Sequence, residues 1–205
     1  MAPERVWAGV DVGGRRKGFH VALIDDRKVL RVLTRPARLL EPDDAVRWLV
    51  AGPRPALVGV DCPCTLDDGI RRDAERRLAR EVCGLRYTPT ADSLAAQRAR
   101  PGQASRFYEW IEQGLALYAA LARAGLPAIE CFPTASWTRW YGPRNGTRRA
   151  AWSTRALAGL RLRGVPPGLG QDGRDAIAAA VTAREHGRGA TEGFGDIVVP
   201  RRRRR

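Results

Sequence analysis

The stretch from Val6 to Leu33 limits the fold more than any other part of the chain. Val6 to Val12 is a short apolar run that carries Asp11 at its end and stops at Gly13-Gly14, the pattern of a buried strand running into a turn. A nucleotide-binding βα unit would enter a helix at this point. Here Phe19 to Asp25 is strand-like again, and after the polar Asp25-Asp26-Arg27-Lys28 turn Val29 to Leu33 reads as a third strand. An antiparallel three-strand meander therefore opens the chain. The glycine-rich segment Asp11 to Gly18 also lacks the GxxxxGK(S/T) pattern, which argues against a P-loop or Rossmann reading.

After the meander the hydrophobic pattern changes period. Glu41-Pro42-Asp43-Asp44 places acidic residues and proline where a helix N-terminus favours them, and Gly52-Pro53 ends that helix. Ala56 to Asp61 is a continuous apolar run bounded by prolines, which fits a central parallel strand and again delivers an aspartate at its C-terminal end. Residues 65–105 are charged and read as a helical insertion or cap, with a helix over Ile70 to Arg80 and a less regular stretch from Tyr87 to Gln103. Phe107 to Ala124 has helical spacing and stops at Gly125, and Leu126 to Phe132 is a fifth strand closed by Pro133. A helix over Thr147 to Leu160 and an alanine-rich helix opened by Asp172 follow, and Gly195 to Pro200 adds an edge strand. The expectation is one α/β domain over 1–200, with a five-stranded mixed sheet flanked by helices and a basic, disordered tail at 201–205.

Composition narrows the partners. The 205 residues carry a formal charge of +14, almost wholly arginine, since Lys17 and Lys28 are the only lysines. Arginine forks match phosphate oxygens, so nucleic acid is the natural partner class; an arginine-biased proteome would leave a similar excess. No apolar run approaches the roughly 18–20 residues of a membrane span, and the opening residues lack a secretory pattern, so a soluble, cytoplasmic protein is expected. Cys62, Cys64, Cys83 and Cys131 follow no disulfide framework and are expected to be reduced thiols; the first three match no standard zinc spacing. The oligomeric state stays open, a homodimer being one option.

The acids carry the chemistry. If the strands ending in Asp11 and Asp61 are parallel neighbours, their tips lie about 4.8 Å apart. Two carboxylates that close repel, and keeping both ionised needs a cation, for which hard oxygen ligands favour Mg²⁺ or Mn²⁺. Asp172 and Asp175, three residues apart, share one face of the last helix. These four aspartates can hold one or two metals that activate water against a phosphodiester, with Glu130 in the fifth strand as a further catalytic acid. Taken singly, Asp172 also suits a helix cap, Asp11 and Asp61 suit turns, and Glu130 suits a buried pair with arginine. The histidines, His20 in a strand and His186 at a helix end, have no nucleophile beside them. Arg15, Arg71, Arg72 and Arg76 are the candidate phosphate contacts, the last three among the arginines of a helix over 71–86 that would grip phosphates. Trp140 and Tyr141, interleaved with Arg139, Arg144, Arg148 and Arg149, are candidates for base stacking.

Read together, Gly9-Val10-Asp11-Val12-Gly13-Gly14, Val58-Gly59-Val60-Asp61-Cys62-Pro63, Arg71-Arg72-Asp73-Ala74-Glu75-Arg76, Ile129-Glu130-Cys131-Phe132-Pro133 and Asp172-Gly173-Arg174-Asp175-Ala176 resemble the DUF429 family, predicted nucleases of the RNase H-like superfamily. The ordered set spans most of the chain. The resemblance implies three antiparallel strands followed by parallel ones, with acids on the first strand, the fourth strand and the last helix. The aspartate pair before alanine is similar to the last-helix motif of RuvC-type Holliday-junction resolvases, although Asp61 stands where those enzymes commonly use glutamate. The implied activity is a metal-dependent nuclease. A nucleic-acid-binding module without turnover, and an actin-like phosphotransferase relative, are the competing readings.

Overall fold

The computed structural model describes residues 5–33, 39–102 and 106–202. The meander forms as the alternation requires: β1 (Trp7–Val12), β2 (Phe19–Ile24) and β3 (Val29–Val32) are antiparallel neighbours. Helix α1 (Pro42–Val50) returns the chain so that β4 (Leu57–Asp61) pairs parallel to β1. Between β4 and the next strand lie α2 (Ile70–Glu81), α3 (Ala91–Arg98) and α4 (Glu109–Arg123). Then follow β5 (Ala128–Cys131), α5 (Pro133–Tyr141), α6 (Arg149–Gly159), α7 (Gln171–Gly187) and a closing hairpin of β6 (Thr191–Phe194) and β7 (Ile197–Pro200).

The sheet order is β3-β2-β1-β4-β5-β7-β6, so the antiparallel-then-parallel arrangement implied by the RNase H-like resemblance is present, with seven strands rather than five. The difference lies at the C-terminus. β7 pairs parallel to β5, and β6, which the weak pattern Thr-Glu-Gly-Phe conceals, folds back on it as the outer strand. Helix α5 is a second difference: Pro133, read as a strand terminator, occupies the first turn of a helix, where its missing N–H costs nothing. Residues 103–105 and 203–205, parts of the expected insertion and tail, fall outside the described residues.

Period-two alternation divides the sheet's contacts. Ala8, Val10, Phe19, Val21, Val58 and Val60 join one core beneath α1 and α4. Trp7, Ala22 and Ile24 join the other with α5, α6 and α7. On that second face β1 and β4 present Gly9 and Gly59 to α7. A Cβ on Gly9 would lie 2.0 Å from the Ala176 carbonyl oxygen, and one on Gly59 would lie 2.3 Å from that of Ala179. The alanine-rich helix thus rests directly on the strand backbones, which brings its first turn down to the strand tips. We expect Gly9→Ala to force α7 outward, costing roughly 1–3 kcal/mol or more and impairing the acidic site, as thermal melts and a metal titration would read.

Candidate metal centre

The parallel pairing of β1 and β4 puts Asp11 opposite Asp61, one strand spacing apart. Antiparallel pairing of β1 with β2 puts His20 opposite Asp11 on the same face. Helix α7, seated on the two glycines, contributes Asp172 and Asp175. Asp11, His20 and Asp172 each offer a ligand atom, and these three atoms all lie within 4.8 Å of one another. His20 Nδ1 is 3.7 Å from Asp11 Oδ2, and its Nε2 is 3.7 Å from Asp172 Oδ2. The Lys17 ammonium, from the hairpin loop, sits 2.8 Å from Asp172 Oδ1 and 3.7 Å from Asp11 Oδ2.

Asp175 is held differently. It is buried, and its carboxylate accepts hydrogen bonds from Trp137 Nε1 at 2.9 Å, Arg149 at 2.9 Å and Gln171 Nε2 at 3.0 Å. Gln171 is itself oriented, because its amide oxygen accepts from Ser153 and Arg174. The expected helix cap at Asp172 is not what forms: Gly170 takes that position and Asp172 lies inside the first turn, where a negative charge meets the helix dipole.

The electrostatics are those of a site short of positive charge. Burial, the largest influence, pushes the Asp11 carboxyl up to about 7; Lys17 and Arg149 pull it down, while Asp175 and Asp172 add to the rise. Asp61 is raised well above the usual carboxylate range by burial and by the fields of Asp11 and Asp175. Asp11 is only 7 % exposed, and its Oδ2 is buried without a hydrogen-bond partner. A buried carboxylate oxygen left without a donor, among three more carboxylates, is the environment a divalent cation relieves.

Other sequence-predicted residues stand elsewhere. Glu130 pairs in register with Val60, not with Asp61, so alternation turns it toward the opposite side of the sheet from the aspartates. There it forms a two-pronged ion pair with Arg71, one arm at 2.9 Å, and accepts the Cys64 backbone N–H at 2.9 Å. Arg71, expected to grip phosphate, is buried and also bound to Thr88 and Glu75. Arg72 is bound to Asp67 and the Thr88 carbonyl, with its guanidinium over Tyr87. Arg76 pairs with Asp73 on the surface, and Arg15 lies beside Glu109. Trp140 packs edge-on against Trp137 and donates to Glu185, which makes it a packing residue. The cysteines are free thiols, and Cys62, Cys64 and Cys83 form no metal-ligating group among the described residues.

Sequence reasoning missed Lys17, His20, Arg149, Trp137 and Gln171. Three of these had a local signal. A six-residue loop over 13–18 sets Val12 opposite Phe19, and hence Asp11 opposite His20, with Lys17 in that same loop. Gln171 stands one helical turn before Asp175. Trp137 and Arg149 reach the acids through tertiary packing.

The family model described as "Protein of unknown function (DUF429)" matches residues 9–198. No curated protein matches the chain. Among solved structures, Thermus thermophilus RuvC is similar at 17 % sequence identity and a TM-score of 0.46, over 90 % of this chain and 96 % of that one.

Proposed function

The chain belongs to the DUF429 family, and we propose that it is a divalent-metal-dependent nuclease that hydrolyses phosphodiester bonds in DNA or RNA at the cluster of Asp11, Asp61, Asp172 and Asp175. The observation that carries this reading is the buried Asp11 Oδ2, which has no hydrogen-bond donor although three more aspartates crowd it. A structural cluster would have satisfied that oxygen. A Mg²⁺ or Mn²⁺ ion bound there supplies an activated water at neutral pH and stabilises charge on the leaving oxygen.

Asp11, Asp172 and His20 would hold the ion, and Asp61 would add a third carboxylate from the neighbouring strand. Lys17 balances the negative charge from the hairpin loop and draws the phosphate of a substrate toward the same point. Asp175 has its oxygens filled by Trp137, Gln171 and Arg149, so its part is to aim Arg149, whose remaining N–H groups are free to bind a phosphate oxygen. Mg²⁺ or Mn²⁺ fits a donor set made mostly of carboxylate oxygens. The family resemblance and the +14 charge support a nucleic-acid substrate. No helix among the described residues is long and apolar enough to cross a membrane.

A cleavage screen over single-stranded, duplex, hybrid and junction substrates with Mn²⁺ or Mg²⁺ tests the reading. Wild type is expected to cut at least one of them only when metal is present. Salt-sensitive binding without cutting under any condition would instead mark a non-catalytic binding module, in which Lys17 serves in place of an ion.

A further inference from the structure

Beside the acids lies a cavity of about 700 Å³ whose lining includes Arg86, Trp110, Phe132, Thr134, Arg144 and Arg149. It neighbours a smaller pocket of about 90 Å³ lined in part by Asp61, and the two share Arg86, Trp110 and Phe132 as walls. Arg149 forms a second link, since it lines the large cavity and binds Asp175. The cavity therefore borders the acidic site.

Its chemistry is selective. Arginines such as Arg47, Arg72, Arg76, Arg98 and Arg123 are neutralised by a neighbouring carboxylate. Arg86 and Arg144 belong to the arginines with no carboxylate partner among the described residues, and what sets them apart is their place on the wall of this cavity; Arg86 rests its guanidinium 4.6 Å from the centre of the Phe107 ring. Two uncompensated guanidiniums stand at a cavity partly walled by Trp110 and Phe132, and the acidic site it borders already belongs to the proposed phosphodiester chemistry. Cations for phosphates beside aromatic side chains for bases are the combination that binds an unpaired nucleic-acid strand, and Trp110 and Phe132, half-buried against the cores, each line the cavity. A cavity of this volume takes a nucleotide-sized group, whereas a base stacked within a duplex has both faces covered.

We propose that this cavity is a binding channel for a single strand, with Arg86 and Arg144 on its phosphates and Trp110 against a base, so that the substrate approaches the acids unpaired. The proposal deepens the nuclease reading by naming the substrate's form, and it is tested by binding alone. Fluorescence anisotropy in EDTA, with a labelled strand of about 12 nucleotides as DNA and as RNA and with the matching duplex, reads it across a salt titration. The double variant Arg86→Ala/Arg144→Ala is expected to lose about ten-fold or more in affinity for the single strand, and its log–log salt slope is expected to fall by about 1.4. Trp110→Leu is expected to lose about five-fold or more with the slope unchanged. Arg47→Ala/Arg123→Ala, which removes two surface arginines paired to Asp44 and Asp43, is the control for bulk charge. The channel is overturned if that control weakens binding as much as the double variant, or if duplex binds as tightly as single strand and depends equally on Arg86 and Arg144. Strand binding with these sensitivities in a protein that never cuts would sustain the channel and remove only the nuclease. Cutting by a protein whose variants bind like wild type would do the reverse.

Discussion

Asp11→Asn is expected to abolish metal-dependent cleavage while making the metal-free protein more stable at pH 8 than wild type. The first half follows from the loss of a ligand at an ion that supplies several kcal/mol of charge stabilisation, a fall of about 10²-fold or more in rate. The second half follows from proton linkage. Asp11 titrates at about 7 in the folded chain against 3.8 ordinarily, so between those values the folded state holds a proton that the unfolded state has released. Stability therefore falls as pH rises from about 4 to 7, and the penalty is fully developed above 7. Asparagine has no charge to bury, and its gain is on the order of 2–4 kcal/mol at pH 8, less what is lost with Lys17. Thermal melts in EDTA at pH 5 and pH 8 check this. Wild type should melt lower at pH 8, the variant should show a smaller drop that comes from the buried Asp61, and Mn²⁺ should raise wild type alone. Lost activity with gained stability marks a residue kept for chemistry and not for the fold.

Arg71→Ala should give the opposite signature. Arg71 is buried between Glu130 and Glu75, which are themselves buried. Burial works against the guanidinium charge, but the hydrogen bonds and field of Glu130, reinforced by Glu75, outweigh it and hold its pKa above the usual value. Removing the cation leaves the buried Glu130 without its charge partner and Glu75 with only Arg72 and Thr88, a loss of roughly 3–5 kcal/mol. Denaturant unfolding at pH 7 reads it, and Glu130→Gln added to Arg71→Ala should recover part of the loss. If Arg71→Ala unfolded at the wild-type midpoint, the buried network would be solvated in solution.

These opposed signatures separate what was legible in the sequence from what was not. The meander, β4 and the pairing of Asp11 with Asp61 could be read because each strand is an apolar run of strand length with a turn signal at its end. Glu130 could not be separated from the aspartates by the same reasoning. Its strand was recognised, but whether it faces the acids depends on the register of β5 against β4, and a one-residue difference changes the face. The sequence points to 71–86 for phosphate-binding arginines because that stretch is dense in arginine. Density instead reflects structural pairing: Arg71 and Arg72 are consumed by Glu130, Thr88 and Asp67, while the uncompensated Arg86 and Arg144 lie in irregular segments that carry no periodic signal. Lys17 meets Asp172, and Arg149 meets Asp175, because α7 sits on Gly9 and Gly59, an approach that two glycines permit but do not announce.

The central claim is that Asp11, His20 and Asp172 hold a divalent ion. The most direct measurement is an anomalous-scattering map from a crystal of the protein soaked in Mn²⁺. A peak within about 2.0–2.6 Å of an Asp11 oxygen, with His20 and Asp172 as further ligands, is the result expected. A saturating soak that leaves Lys17 in place between Asp11 and Asp172, with manganese bound only elsewhere, would contradict it.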